Sequence, residues 1–373
     1  MSLSASERAR YQRHLSLPQI GVAGQEKLKA ARVLIVGAGG LGSPAALYLA
    51  AAGCGTLGLV DGDEVELSNL QRQVLYDVHS IGRPKAVAAA QRLAALNPDI
   101  RVVAHALELT PVNVREIFAQ YDLVLDGTDR LSTRYLINDA CVIGRLPLIS
   151  AAIHQFEGHL FTYVPGRGPC YRCLFPHSAD SMVGNCAVAG VLGVLPGVLG
   201  TLQATEAIKL VSGVGTLLSG RLLSYDALEM RFEEYRVSQR PDCNVCGDAP
   251  TITSPGTAAA SATPAAVRRL SARALHELLQ HTPGAAPLLI DVREPAEFRT
   301  GHLAGSIHIP LGQLPQRLGQ IAPDAAPVFI CRSGARSLSA CQLALQARIG
   351  SPANLEGGLL AWAAEIDPTL EVL

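Results

Sequence analysis

Charge is scarce in this 373-residue chain: Asp, Glu, Lys and Arg make up 17% of it, and 32 acidic side chains face 31 basic ones. So even a balance gives no electrostatic reason to expect nucleic acid or an anionic membrane as a direct partner. Lysine is scarcer still, four of the 31 basic residues, so a lysine inside a motif needs a reason to be there. The stretch Met1-Ser2-Leu3-Ser4-Ala5-Ser6-Glu7-Arg8 lacks the apolar core of a signal peptide behind its charges, which predicts a cytoplasmic protein. A membrane span is missing too. The uncharged run Ala187–Thr205 comes nearest, but Gly190, Gly193, Pro196, Gly197 and Gly200 would weaken a spanning helix, and Glu206 and Lys209 follow at once. That run reads as a buried loop and helix. In a cytoplasmic chain the nine cysteines are thiols, metal ligands or catalysts rather than structural disulfides.

What is present is apolar material, 49% of the residues, in a chain too long for one ordinary core. From residue 32 to about 165, apolar strands (Val33 to Val36, Leu57 to Val60, Arg101 to Ala104, Leu123 to Asp126, Leu148 to Ser150) alternate with helical patterns such as Ser43 to Ala52 and Pro84 to Leu96. That alternation predicts an α/β fold with a doubly wound, mostly parallel sheet. Residues 249–266 are uncharged and hold one large apolar side chain, so they read as a flexible linker between a domain at 1–248 and a second, smaller α/β domain at 267–373. A flexible linker of that length spans roughly 20 to 25 Å.

The first strand ends in Gly37-Ala38-Gly39-Gly40-Leu41-Gly42, three glycines at G-x-G-x-x-G spacing. A Cβ at such a turn blocks both the backbone dihedrals and the approach of a phosphate to the first amides of the helix. Asp61 ends the second strand at the distance where a carboxylate reaches a ribose. Alone this says "nucleotide", and a tight turn without a ligand stays open. Ser68-Asn69-Leu70-Gln71-Arg72-Gln73 and Lys85 follow. An Arg and a Lys aimed at the glycine turn suit the outer phosphates of ATP better than a nicotinamide dinucleotide, unless both are solvated surface charges. Asp126 and Asp129, in Asp126-Gly127-Thr128-Asp129, stand at the same sheet edge; Asp129 is the candidate Mg²⁺ ligand and Asp126 the structural one, with helix capping the alternative.

Cys170-Tyr171-Arg172-Cys173 and Cys243-Asn244-Val245-Cys246 are two C-x-x-C pairs. Four thiolates suit tetrahedral Zn²⁺ in a closed structural site that staples the end of the first domain to its middle; a redox pair is the competing reading. Cys186 is ambiguous, either a buried thiol or a nucleophile facing an activated acyl group. In the second domain Cys331-Arg332-Ser333-Gly334-Ala335-Arg336-Ser337 is a strand end followed by a helix. Inward amides and Arg336 there would stabilise an anion, lowering a thiol pKa and holding a persulfide. A Cys-x5-Arg phosphatase cradle competes, although only four residues separate Cys331 from Arg336. Cys341 reads as a core residue.

Taken in order, these motifs from about Tyr11 to Gly247, with Asp61-Gly62-Asp63, resemble the MoeB/ThiF adenylyltransferases, relatives of the ubiquitin-activating enzymes. The resemblance implies a Rossmann-like fold. It implies that Gly37, Gly39, Gly40, Gly42, Asp61, Asp63, Ser68, Asn69, Leu70, Gln71, Arg72, Lys85 and Asp129 serve ATP and Mg²⁺. Cys186 matches the thioester-forming position, and Arg13 would reach the phosphates of a neighbouring subunit in a homodimer. The family usually has Asn after the magnesium aspartate; here stands Arg130, whose contact is thereby in doubt. The second domain is similar to rhodanese through Leu289-Ile290-Asp291-Val292-Arg293-Glu294-Pro295-Ala296-Glu297-Phe298, Gly301-His302-Leu303-Ala304-Gly305-Ser306, Leu355-Glu356-Gly357-Gly358 and Trp362. The implied reaction is adenylation of the C-terminal glycine of a small ubiquitin-like sulfur carrier ending in Gly-Gly. Sulfur would then pass from a Cys331 persulfide charged by thiosulfate or a cysteine desulfurase. A carrier of the molybdopterin-synthase type comes first, and thiamine, cysteine or tRNA-thiolation carriers are the alternatives. The rivals of another class are an NAD-dependent oxidoreductase and a rhodanese domain that only docks.

Overall fold

The computed structural model describes residues 2–176, 190–256, 267–281, 287–347 and 349–372. They fall into two compact units, one before and one after residues 257–266. In the first, strands β1 (Arg32–Val36), β2 (Thr56–Val60), β3 (Arg101–His105), β4 (Leu123–Asp126) and β5 (Leu148–His154) are parallel in the order β3-β2-β1-β4-β5. Three antiparallel strands extend that sheet to eight: β6 (Glu157–Tyr163), β7 (Arg221–Asp226) and β8 (Arg231–Arg236). Alternate residues of β1 enter opposite cores. Val33 and Ile35 pack in one with Leu57, Leu59 and Leu199, Leu34 and Val36 in the other with Val124 and Ile137. Helices therefore cover both faces, which is why the central strands read as continuous apolar runs.

The sheet order reverses between β1 and its neighbours β2 and β4, and ligands of such sheets bind beyond the strand ends at that reversal. The helix Gly42–Ala51 starts there, and so does Leu131–Ile143. From Leu195 the uncharged run enters a helix, Leu195–Ser212, that continues past it through Glu206 and Lys209, with Leu195, Leu199 and Gly200 buried. None of the helices among the described residues is long and apolar enough to cross a membrane.

Of the expected linker, residues 249–256 pack on the first unit, and residues 257–266 lie outside the described residues. Ile252, the one large apolar side chain of that stretch, is buried in the second core, and the amides of Thr251 and Ile252 donate to the carbonyl of Asn244. Arg115 donates to Thr253, and Gly256, at φ +83°, lies against Pro111. Residues 249–256 thus belong to the first unit; one well-placed isoleucine outweighs the polar surroundings.

The second unit is a five-stranded parallel sheet. Its strands are β9 (Arg268–Leu270), β10 (Leu289–Asp291), β11 (Ile307–His308), β12 (Val328–Ile330) and β13 (Ala353–Leu355), in the order β11-β10-β12-β13-β9. Val328 and Ile330 face one core, Phe329 and Cys331 the other. Cys341 is fully buried beside Cys331 in that second cluster, and burial pushes its thiol up to about 12, as a core residue requires.

Candidate functional site

At the C-terminal edge of β1, β2 and β4 lies a cavity of about 440 Å³. The glycine turn forms its floor. Gly37 has φ +88°, and a Cβ there would sit 2.8 Å from the carbonyl oxygen of Gly127, so the turns after β1 and β4 touch. Of the residues expected to serve ATP, Gly37, Gly39, Gly40, Asp61, Asp63, Ser68, Asn69, Gln71, Arg72, Lys85, Asp129 and Arg130 all line this cavity.

Two do not. Gly42 is buried, and a Cβ there would come within 1.9 Å of the carbonyl oxygen of Gly37; it closes the turn instead of facing the cavity. Leu70 packs against the first core. Arg13 is exposed in the helix Gln12–Leu15 and does not line the cavity of its own chain.

Each charge has a definite setting. Asp61 accepts from the amides of Ala38 (2.8 Å) and Asp63 (2.9 Å), and burial raises its pKa against the pull of Lys85. Lys85 is buried along its stem and donates to Asp63 Oδ2 at 3.0 Å; Asp63 itself is exposed. Arg72 donates to the carbonyl of Ser68 at 3.1 Å. Asp129 is exposed at the cavity wall, and its carboxylate makes no hydrogen bond among the described residues. Asp126 is structural: it accepts from Thr128 Oγ1 (2.8 Å) and Ser150 Oγ (2.7 Å) and faces Arg134 at 3.5 Å. Arg130 pairs with Glu108 at 2.8 Å, and the Glu108 hydrogen bond raises its pKa.

Sequence reasoning missed Arg134 and the wall Leu107-Glu108-Leu109. Arg134 is buried and donates to the carbonyls of Ala151 (2.6 Å) and Thr128, holding the strand ends that carry Asp129. Its five-residue spacing from Asp129 across a helix start was the available signal.

Cys170, Cys173, Cys243 and Cys246 form one cluster, with all four sulfurs within 4.8 Å of one another. The Sγ–Sγ separations are 3.7 Å for Cys170 and Cys243 and 3.3 Å for Cys173 and Cys246. A tetrahedral ion with four bonds of about 2.3 Å to sulfur needs edges of about 3.8 Å, so the arrangement fits a metal ion. Arg172, between the first two cysteines, is clamped on Asp139 at 2.7 and 2.8 Å and lies over the ring of Tyr135. Cys186 lies outside the described residues.

In the second unit Cys331 follows β12 and is 1% exposed. Its sulfur accepts from the Gly334 amide at 3.1 Å and from Ser337 Oγ at 3.2 Å. Gly334, at φ +92°, caps the helix Ala335–Gln346, while Arg332 and Ser333 are exposed at the loop surface. A glycine backs the loop: a Cβ on Gly358 would sit 2.4 Å from the carbonyl oxygen of Cys331, which instead accepts from the Leu359 amide at 2.9 Å. Arg336 departs from expectation. Both of its terminal nitrogens donate to Glu297, each at 2.6 Å, so it is no free anion hook.

A Rossmann-like sheet whose switch-point cavity is lined by a glycine turn, Arg72 and Lys85, followed by a small parallel sheet bearing a cysteine loop, defines a nucleotide-site protein fused to a rhodanese-type unit. The chain belongs to the ThiF family, which matches residues 11–245, and residues 271–365 match the rhodanese-like domain. It is 42% identical to "Probable adenylyltransferase/sulfurtransferase MoeZ" of Mycobacterium tuberculosis, over 99% of this chain and 96% of the relative. It is likewise 42% identical to "Adenylyltransferase and sulfurtransferase MOCS3" of Sus scrofa, over 99% of this chain and 88% of the relative. Among solved structures, E. coli MccB with ATP superposes with a TM-score of 0.58 at 26% identity, covering 65% of this chain and 75% of that one.

Proposed function

We propose that this chain is an enzyme of two activities, an adenylyltransferase that activates the C-terminal glycine of a small ubiquitin-like sulfur carrier and a sulfurtransferase that then loads it with sulfur. The observation that carries this reading is the gathering of the glycine turn, Arg72, Lys85 and Asp129 around one cavity. The relatives' names, which pair the same two activities, support it.

In this reading ATP lies with its ribose toward Asp61 and its phosphates over Gly39 and Gly40. The carrier's ionised carboxylate attacks the α-phosphorus, pyrophosphate leaves, and no protein base is needed. Lys85 and Arg72 offset the charge that builds on the phosphates, with Arg13 of a second copy reaching in from a homodimer partner. Asp129 would hold Mg²⁺, which supplies further positive charge at the phosphates. Its uncommitted carboxylate suits that role. Zn²⁺ is the ion we assign to the four-cysteine cluster, as a structural staple with no open coordination position.

The Cys331 persulfide, charged by thiosulfate or a cysteine desulfurase, attacks the acyl carbon and AMP leaves. A second thiol, Cys186 in this reading, then takes Cys331 into a disulfide and releases the carrier thiocarboxylate; an external thiol reductant resets the pair. A carrier of the molybdopterin-synthase small-subunit type is our first choice, ahead of thiamine, cysteine or tRNA-thiolation carriers, and the setting is the cytoplasm. The test is ATP–pyrophosphate exchange that depends on added carrier. Exchange without carrier, or binding of NAD in place of ATP, overturns the proposal.

A further inference from the structure

We propose that Glu297 is a specificity-determining residue of the sulfur-donor site, one that turns the Cys331 loop away from small dianionic donors and toward persulfides of lower charge. The inference rests on the reading that Cys331 carries the transferred sulfur. It starts from the pairing of Arg336, the more shielded of the loop's two guanidiniums. Both terminal nitrogens donate to the two carboxylate oxygens of Glu297 at 2.6 Å. The side chains are only 14% and 20% exposed, so water screens the pair weakly and bidentate geometry fixes it. Glu297 is itself held in place, accepting from the Glu294 amide at 3.0 Å. Its carboxyl lies below the usual carboxylate range because Arg336 donates to it, so the negative charge persists at neutral pH.

The sulfur meanwhile is held by neutral donors, the Gly334 amide and the Ser337 hydroxyl. Nearby, Asp291 and Arg293 are fully buried and paired with each other at 2.8 Å, while Arg332 is exposed on the loop and Glu294 is exposed close enough to act on Arg336. Counting the thiolate, Glu294 and Glu297 against Arg332 and Arg336, three negative charges face two positive ones, so the loop presents a net negative charge to an incoming donor. Thiosulfate must bring two negative charges into that field. When the thiolate attacks its sulfane sulfur, the S–S bond breaks and sulfite leaves with the electron pair, leaving the cysteine persulfide anion. A thiol persulfide brings less charge, and the same attack expels a thiolate.

The test compares the unmodified full-length chain with Glu297→Gln, following persulfide formation on Cys331 by mass spectrometry with thiosulfate and with cysteine persulfide as donors. The ratio of charging efficiencies, thiosulfate over cysteine persulfide, should rise about tenfold in Glu297→Gln, because the cation is freed for the dianion. Glu297→Asp, which keeps the charge, should leave the ratio nearer to that of the unmodified chain. An unchanged ratio, or an equal loss with both donors, makes Glu297 a mere brace and overturns the inference. A second measurement needs no variant: between roughly 20 and 200 mM salt, charging of the unmodified chain by thiosulfate should speed up, as between like charges. A flat or falling dependence overturns the proposal. Failure of both donors to place sulfur on Cys331 overturns the sulfurtransferase reading along with it, whereas charging at an unaltered ratio removes Glu297 alone.

Discussion

The two candidate sites handle charge in opposite ways. Around the glycine turn the cations hold replaceable partners: Lys85 reaches an exposed carboxylate, Asp63, and Arg72 a neutral carbonyl. A phosphate can displace either partner, because Asp63 is exposed to water and the Ser68 carbonyl is neutral, so neither is left behind as a buried charge. In the cysteine loop Arg336 is locked on a shielded carboxylate, and neutral dipoles face the sulfur instead. The difference teaches what each reaction needs. A polyphosphate brings a large charge that must be met by groups free to turn toward it. A thiolate needs a fixed cradle whose field does not vary from one donor to the next.

The sharpest way to break this comparison is to remove the sulfur. Cys331→Ala should abolish carrier thiocarboxylation while carrier-dependent ATP–pyrophosphate exchange stays within about twofold of wild type, because the exchange chemistry needs no sulfur. Loss of both activities would mean that the two sites are not separable. Next in size come the cavity residues Lys85 and Asp129. Lys85→Ala and Asp129→Ala should each lower the exchange rate by about 10²- to 10³-fold, the usual cost of losing one preorganised charge at a developing anion. A drop of less than about threefold in either would remove it from the phosphate site.

Much of this was legible in the residues, for physical reasons that differ by element. The parallel strands announced themselves because both of their faces are covered, so residues 33–36 of β1 and 123–125 of β4 are apolar without a break. The cavity residues were legible because G-x-G-x-x-G and the Arg72/Lys85 spacing each impose a backbone or charge requirement. The antiparallel extension β6 to β8 was not read, since β8 is exposed at nearly every position and carries charge on most of them. Long-range partners were hidden as well: nothing local ties Arg336 to Glu297, 39 positions away. The same holds for Leu70, whose motif neighbours face the cavity while it turns into the core.

Smaller effects sharpen the contrast between a stapled unit and an unstapled one. If the four-cysteine cluster holds the proposed ion, a chelator, or Cys170→Ser, should lower the stability of the first unit by several kcal/mol, since metal binding at such a site is coupled to folding. The second unit's unfolding transition should not move. Lowering the pH tests the second unit instead. The Glu297 carboxyl is depressed in the folded state by Arg336, so its stabilisation is complete above the unfolded value near 4.3 and is lost as pH falls through the folded one. Thermal melts should therefore show an acid limb below about pH 4.3 that flattens in Glu297→Gln.

The smallest change expected is at Arg130, where the family's usual Asn is replaced. Arg130 and Glu108 pair at 2.8 Å with side chains 61% and 64% exposed. Water screens such a pair, so Arg130→Asn should alter the stability of the first unit by no more than about 0.5 kcal/mol. Arg130 nonetheless lines the cavity beside Asp129. If it only closes the wall with Glu108, the KM for ATP should shift by less than about threefold, as for loss of an exposed ion pair. A tenfold rise with unchanged stability would show that the side chain leaves Glu108 for the phosphates when ATP arrives, which would place it with the replaceable cations Lys85 and Arg72.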